Sequence, residues 1–335
     1  MPPIQPSLRG SLLTGASALA LSLAGSRAQA QAPPGYPGPV ANPQLWTIWI
    51  EGAFFETAGG NFVLPSVPGF GAPYTTFNQM PGIEGAFGFD YRWWPYQPWH
   101  FVFDIRYGQT GIGSANSSFF HSSVIIVSGH HFHNTSLTSD QATEQERHLV
   151  ADFMVGRDLG IGSQAPWLQL QFGIRVADLW ATASETGLSR RHFYSSHAPG
   201  DTRTISETAI GAWTSGFFGA GPRLAIVGDI PILGFWTFDY GAGVAGLFGD
   251  RSFNAGAITN TGVNYSSNLN VLAFVFNTDS WMAVSYWFTP YMKLSGGMRV
   301  DFYDSVLTTY NVNTGGLQNI SRAFWGPFLR LTGSF

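Results

Sequence analysis

The amino-acid sequence predicts an all-β chain: a transmembrane antiparallel β-barrel of ten strands, with short turns at one end and long loops at the other. Three observations predict it. The chain ends on a strand-like run whose final residue is aromatic. Its composition is rich in Gly and Phe and poor in charge. Apolar and polar residues alternate through most of its length, between connections that are short and long by turns.

In the terminal run, Trp325, Pro327, Leu329, Leu331, Gly333 and Phe335 share one face, and Gly326, Phe328, Arg330, Thr332 and Ser334 the other. That is the period of two that an extended strand imposes. A chain that stops on Phe in such a strand resembles the last strand of bacterial outer-membrane barrels. There the terminal aromatic is the assembly signal, so Phe335, Leu331 and Leu329 are the expected signal to the barrel-assembly machinery.

Composition narrows the class. The 335 residues include 41 Gly and 28 Phe, and 16% are aromatic. Only 11% are charged, against about 25% in an ordinary soluble domain. Mean hydropathy is only +0.05, too low for a helical membrane protein. Strands that are apolar on alternate residues produce this combination. The chain has no Cys, which excludes disulfides, thiol nucleophiles and thiolate metal sites.

The N-terminus predicts export. Arg9 precedes an apolar run over 11–25 and the small-residue site Ala28-Gln-Ala30. Residues 1–30 therefore read as a signal peptide cleaved after Ala30. Removing Arg9 and Arg27 leaves 14 basic and 20 acidic residues, a net charge of −6. Nothing points to nucleic acid. Residues 31–44 are Pro-rich, cannot pair in a sheet, and read as an extended periplasmic arm. Residues 45–335 are the barrel.

Ten segments follow in order. Over 46–55, Trp46, Ile48, Ile50 and Phe54 oppose Thr47 and Glu51. Over 83–93, Ile83, Phe87, Phe89, Tyr91 and Trp93 oppose Glu84, Asp90 and Arg92. Over 100–107, Phe101, Phe103, Ile105 and Tyr107 oppose His100, Asp104 and Arg106. Over 147–158, Leu149, Ala151, Phe153 and Val155 oppose His148, Asp152 and Asp158. Over 167–177, Leu168, Leu170, Phe172, Ile174 and Val176 oppose Gln169, Gln171 and Arg175. Over 209–227, Ile210, Phe218, Leu224 and Ile226 oppose Arg223. Over 235–249, Trp236, Phe238, Tyr240, Val244 and Phe248 oppose Thr237, Asp239 and small residues. Over 269–288, one parity runs from Leu272 to Phe288, against Asn277, Asp279 and Ser285. Over 292–303, Met292, Leu294, Met298, Val300 and Phe302 oppose Lys293, Ser295, Arg299, Asp301 and Tyr303. The terminal run is the tenth.

Connections at 94–99, 159–166, 228–234 and 289–290 are short, whereas those at 58–81, 108–145, 182–208, 250–268 and 305–321 are long. Short periplasmic turns and long outer loops are the layout of a transmembrane barrel. Trp46, Trp93, Trp94, Trp99, Trp167, Trp236 and Trp287 fall beside the short-turn ends, as an interfacial girdle would. Residues 119–133 either add a hairpin, making twelve strands, or fold over the mouth.

The polar parity, if luminal, carries charges of both signs in near balance. Expected lining residues are Arg92, Asp104, Arg106, Asp152, Arg175, Arg223, Asp239, Lys293, Arg299, Asp301 and Arg330. They either pair in a packed interior or line a hydrated path. Gly241, Gly243, Ala245 and Gly297 would leave room on the inner face. His121, His130, His131, His133, His192 and His197 fall in predicted loops without a catalytic motif, and neither a catalytic site, a metal site nor a cofactor is assigned. Arg190, Arg191, His192 and Arg203 are a loop cluster that suits lipopolysaccharide phosphates.

Three stretches carry a family resemblance: Phe217-Phe-Gly-Ala-Gly-Pro-Arg-Leu-Ala225, Gly243-Val-Ala-Gly-Leu-Phe-Gly249 and Gly326-Pro-Phe-Leu-Arg-Leu-Thr-Gly-Ser-Phe335. They resemble the Legionella-type pore-forming outer-membrane protein family, from about residue 145 onward. The resemblance implies an outer-membrane barrel that forms a pore, with Arg175, Arg223 and Arg330 at positions similar to that family's inward-facing Arg residues. It supplies no catalytic residues. The expectation is a small pore for ions or small solutes, embedded among outer-membrane lipid and lipopolysaccharide. The alternative is a non-conducting barrel whose surface loops bind a partner or host ligand.

Overall fold

The structure, a computed structural model, describes residues 45–60, 81–94, 97–127, 130–159, 168–195, 202–260, 262, 264–311 and 316–335. The predicted signal peptide and Pro-rich arm, and Trp167 and His197, lie outside them.

Eleven strands follow one another: β1 (Trp46–Gly59), β2 (Pro81–Arg92), β3 (Trp99–Thr110), β4 (Gly113–Val127), β5 (His130–Asp158), β6 (Leu168–Ser195), β7 (Thr202–Leu233), β8 (Trp236–Thr259), β9 (Asn264–Thr289), β10 (Met292–Tyr310) and β11 (Leu317–Ser334). Every pairing is antiparallel, β1 closes on β11, and β3 pairs β5 directly. The sheet therefore returns on itself as a barrel. At the seam Trp46 N donates to Phe335 O at 3.1 Å and Phe335 N to Trp46 O at 2.8 Å.

The eleven segments make ten wall strands. β3 and β4 lie end to end on the same edge of β5: Gln109 pairs with Arg147, and Gly113 with Glu144. Three residues of the β3–β4 strand there face two of β5, which is a β-bulge. Thr110 Oγ1 anchors it by accepting from Glu146 N at 2.9 Å. The bulge shifts the side-chain phase by one residue, because the period is two. Thr110 and Gly113 both end up buried. Residues 119–127 and 130–133 are thus the upper part of two wall strands and add none to the ring.

The long loops of the sequence reading are corrected. Most of 113–145, 182–208, 250–268 and 305–321 is strand, and β5 to β9 run for 24 to 32 residues. Spanning a bilayer takes about 9–11 residues. Polar, Ser/Thr-rich stretches read as loop because they lack an apolar parity. Their outward face meets water and their inward face is packed with small and polar side chains such as Thr138, Ala142, Ala183 and Ser189, so neither parity needs to be a run of large apolar residues.

The apolar parity faces outward. On β5, Leu149, Ala151, Phe153 and Val155 point out, bracketed by Arg147 and Arg157. Arg147 lies 4.6 Å over the Trp180 ring and Arg157 5.3 Å over the Trp99 ring. Ten residues of strand span about 33 Å, or about 25 Å at the tilt of a barrel wall, the height of an outer-membrane apolar band. Outward charges on other strands, Glu56, Asp178, Asp250 and Asp304, come at the upper end of the same belt. Trp46, Trp93, Trp94, Trp99 and Trp236 are exposed at the lower end, where the short turns and the C-terminus meet. Trp287 departs from that girdle. It has the inward parity of Ser285 and sits 5.3 Å from Lys293 Nζ.

Candidate lumen site

The inward parity of the belt gathers its charges into one network. Arg175, with no exposed side-chain surface, donates from Nε and Nη2 to Asp152 at 2.7 and 2.6 Å. Its Nη1 donates to Asp279 at 2.9 Å. Arg223 bonds the same Asp279 through Nη2 at 2.9 Å and approaches Asp152 at 3.5 Å. On the facing wall Arg299 bridges Glu51 at 2.6 Å and Glu84 at 2.8 Å. Arg330 takes Glu51 at 2.7 Å, and His148 Nε2 lies 2.7 Å from Glu84. Arg106 joins the two halves: it pairs with Asp301 and lies 3.4 Å from Asp104, while Asp301 is 3.9 Å from Arg175. Nine strands supply these groups. Nothing local in the sequence brings them together; closure of the ring does.

The eleven expected lining residues all point inward, and each has a partner. Lys293 pairs with Asp239, which also accepts from Thr237 and Ser285 hydroxyls at 2.8 Å. Arg92 pairs with Asp158 at the lower rim, beside the fully buried His100, whose Nδ1 is 2.8 Å from Asp90. Glu51, Glu84, Asp279 and His148 complete the network. All four were visible on the polar parity, but no sequence signal ranks them above the rest.

The room expected beside small residues is occupied. A Cβ on Gly243 would lie 2.8 Å from the Arg223 guanidinium, and one on Gly241 2.4 Å from Trp281 Nε1. Gly88 receives the Trp49 ring, and Gly108 the His148 ring. At Gly297 the nearest atom, 2.1 Å from such a Cβ, is the backbone carbonyl of Met282. The glycines accept large side chains from neighbouring strands, so the lumen fills instead of opening. Arg330 lies over this packing, 4.8 Å from the Trp281 ring and 5.9 Å from the Trp49 ring. Trp49 Nε1 donates to Asp104 at 3.0 Å.

Above the charged layer the interior is apolar. Phe55, Val150, Leu179, Trp213, Phe217, Leu247, Phe253, Val275, Tyr303 and Phe324 form one buried cluster with Val306, Leu307, Tyr310 and Ile320. The last four come from the far ends of β10 and β11, which leave the wall and cross the lumen. Thr308 N donates to Ser215 Oγ of β7 at 2.8 Å, and the Tyr310 ring lies 5.3 Å from that of Phe253 on β8.

Higher still, on the inner face beyond the belt, carboxylates dominate: Asp140, Glu144, Glu146 and Glu185. Arg322 pairs with Glu146 at 3.0 Å. Burial, and then the Glu146 charge, pushes Glu144 up to about 8. Burial, and then Asp140, pushes Glu185 up to about 7. His192 on β6 is exposed, 2.9 Å from Thr204 Oγ1 through Nδ1, and Arg190 beside it is exposed. The side chains of His121, His130, His131, His133, Arg191 and Arg203 lie outside the described residues.

No protein-family model matches the chain, and no curated protein matches it. Among solved structures it is similar to the outer-membrane protease OmpT from Escherichia coli, at 12% identity and a TM-score of 0.42, over 88% of this chain and 97% of that one. It is similar to Neisserial surface protein A at 10% identity and a TM-score of 0.25, over 87% and 97%. It is also similar to a mutant of the TodX monoaromatic hydrocarbon channel at 8% identity and a TM-score of 0.25, over 90% and 93%.

Proposed function

We propose that the chain is an outer-membrane β-barrel, shut to ions in the conformation described, that acts at the cell surface through the strands standing beyond its apolar belt. One observation carries this reading. Across mid-belt the inward charges satisfy one another, and an apolar layer seals them from above. A conducting path needs water beside those charges, and a buried, fully paired network leaves little reason for water to enter. The belt height and the aromatic lower rim support the outer membrane as the site. Phe120 and Leu137, paired across β4 and β5 and both exposed, give the projecting wall an apolar patch for a partner.

The test is single-channel recording on the refolded mature chain in a planar bilayer. A silent bilayer, with the protein inserted and folded, is the expected result. Discrete reproducible steps would overturn it. The pore reading keeps one specific support: the eleven residues expected to line a path do face inward. Under that reading R223E and R299E would shift conduction toward cations. For the surface role, F120N/L137N makes the patch polar and leaves the ladder of the ring in place. Loss of cell-surface binding with normal assembly is then expected, and unchanged binding refutes a role for the patch.

A further inference from the structure

The projecting wall buries a carboxylate on its inner face in surroundings that supply no counter-charge. Pairing across β4 to β8 lays that face out in rows. One row reads Ala115, Ala142, Glu185, Gly211 and Ala257. The row below it sets Glu144, Ala183, Trp213 and Ala255 side by side, and the row above it Asp140, Gly187, Ala209 and Thr259. Glu185 is thus the one charged side chain in a row of methyl groups and glycine. Asp140 and Glu144 are its diagonal neighbours across the β5–β6 ladder, about 7–8 Å away.

Glu185 is only 8% exposed. Asp140 has a partner of its own, whereas no hydrogen bond or ion pair reaches the Glu185 carboxylate among the described residues. Beside it on β7, Gly211 leaves space. A Cβ there would stand 3.9 Å from the Ala257 Cβ and 4.0 Å from the Glu185 Cβ, with nothing closer.

The charges above the apolar layer do not balance. The described carboxylates of this face are Asp140, Glu144, Glu146, Glu185 and Glu207, and the described cation is Arg322. Arg322 is committed elsewhere, to Glu146 at 3.0 and 3.1 Å and to the carbonyl of Gly60. At this level β4 brings Gly113 and Ala115, and β8 brings Ala255, Ala257 and Thr259. A buried carboxylate without a cation holds a proton instead. Glu185 and Glu144 do so, raised to about 7 and about 8.

We propose that this face binds a short aliphatic diamine, with one ammonium on Glu185 beside Gly211 and the other on Glu144. Two ammonium groups then stand where the two carboxyl protons stood, and those protons leave to solvent. An ammonium donates N–H bonds to separate carboxylates without needing a fixed cage. A divalent metal needs one, and no three acidic or His groups among the described residues are placed to hold a metal ion. The site lies on the inner face, so it stands or falls apart from the Phe120–Leu137 patch and from the state of the lumen at mid-belt.

The test is calorimetric titration of putrescine, a linear diamine, into the refolded mature chain in zwitterionic detergent, at a pH between the two raised values. One saturable site is expected. E185Q and E144Q should each weaken it by about tenfold or more, the factor for one lost charge-assisted hydrogen bond. Butylamine, the same chain with one ammonium, should be weaker by a similar factor. E56Q, an outward and exposed carboxylate, should bind as the parent does. Each variant is checked for its barrel by heat-modifiable mobility. Repeating the titration of the parent in buffers of different ionisation heat needs no variant, and should show protons released on binding. The absence of saturable heat, equal binding by E185Q, equal affinity for butylamine, displacement by magnesium at the same concentration, or binding without proton release would each overturn the diamine site.

Discussion

Replacing Arg175 with Met tests whether the lumen is packed or wet. The side chain is fully buried and makes three short bonds to carboxylates, two to Asp152 and one to Asp279. Met keeps most of the volume and removes the charge. In a hydrated channel each such pair would be worth about 1 kcal/mol or less, as exposed ion pairs are. In a water-poor interior, removing one partner strands charge and costs about 3–5 kcal/mol. Arg223 stays near both carboxylates but at 3.5 Å from Asp152, so Asp152 is the group left short. R175M is therefore expected to lose about 3 kcal/mol or more, and R175M/D152N to recover a substantial part, because the stranded carboxylate is gone. The assay is urea unfolding of the refolded barrel in lipid vesicles, followed by Trp fluorescence. A loss below about 1 kcal/mol for R175M, with no recovery in the double variant, would refute the packed lumen.

Other perturbations probe other levels. G243V sets a Cβ against the Arg223 guanidinium at 2.8 Å and should cost about 1–3 kcal/mol by overpacking in the same unfolding assay; a neutral result would mean the cradle is loose. Glu185 and Glu144 are raised from 4.5 to about 7 and about 8, so the folded state holds protons that the unfolded state releases. Their contribution is full below pH 4.5 and is lost as pH rises through 7 and 8, and E185Q should flatten the lower part of that decline. An unchanged pH profile for E185Q would remove Glu185 from the account. Deleting Phe335 removes the two seam bonds with Trp46 and should slow ring closure, read as delayed appearance of the heat-modifiable band; an unchanged rate would refute its assembly role.

Much of the barrel was legible in the sequence because a bilayer and a closed sheet each impose a simple period. The parity of Leu272 to Phe288 and of Met292 to Phe302 announces which face meets the apolar medium. Ring number follows from counting such runs. The strands above the belt were illegible for the converse reason. Around Ser184, Thr186 and Ser189, or over 113–116, water or small side chains lie on both faces, and the periodic signal vanishes while the hydrogen-bond ladder continues. The bulge at Gly111–Ile112 hid the continuity of β3 and β4 by reversing the phase.

The inward charges were nameable one by one, as Arg175, Arg223 and Arg299 show. Their meaning was not. Whether a lumen is wet depends on which residue from one strand meets which from another, and those partners lie 102 to 248 positions apart for Arg175–Asn277 and Arg299–Glu51. Gly243 reads as free space in the sequence and becomes the seat of a guanidinium in the barrel. Val306 and Leu307 read as the start of a loop and become the plug. The sequence alone determined the wall, because alternation is a local consequence of the extended backbone. Only the tertiary structure decided the contents of the lumen, because shear and closure, which no local pattern encodes, choose the neighbours of every inward side chain.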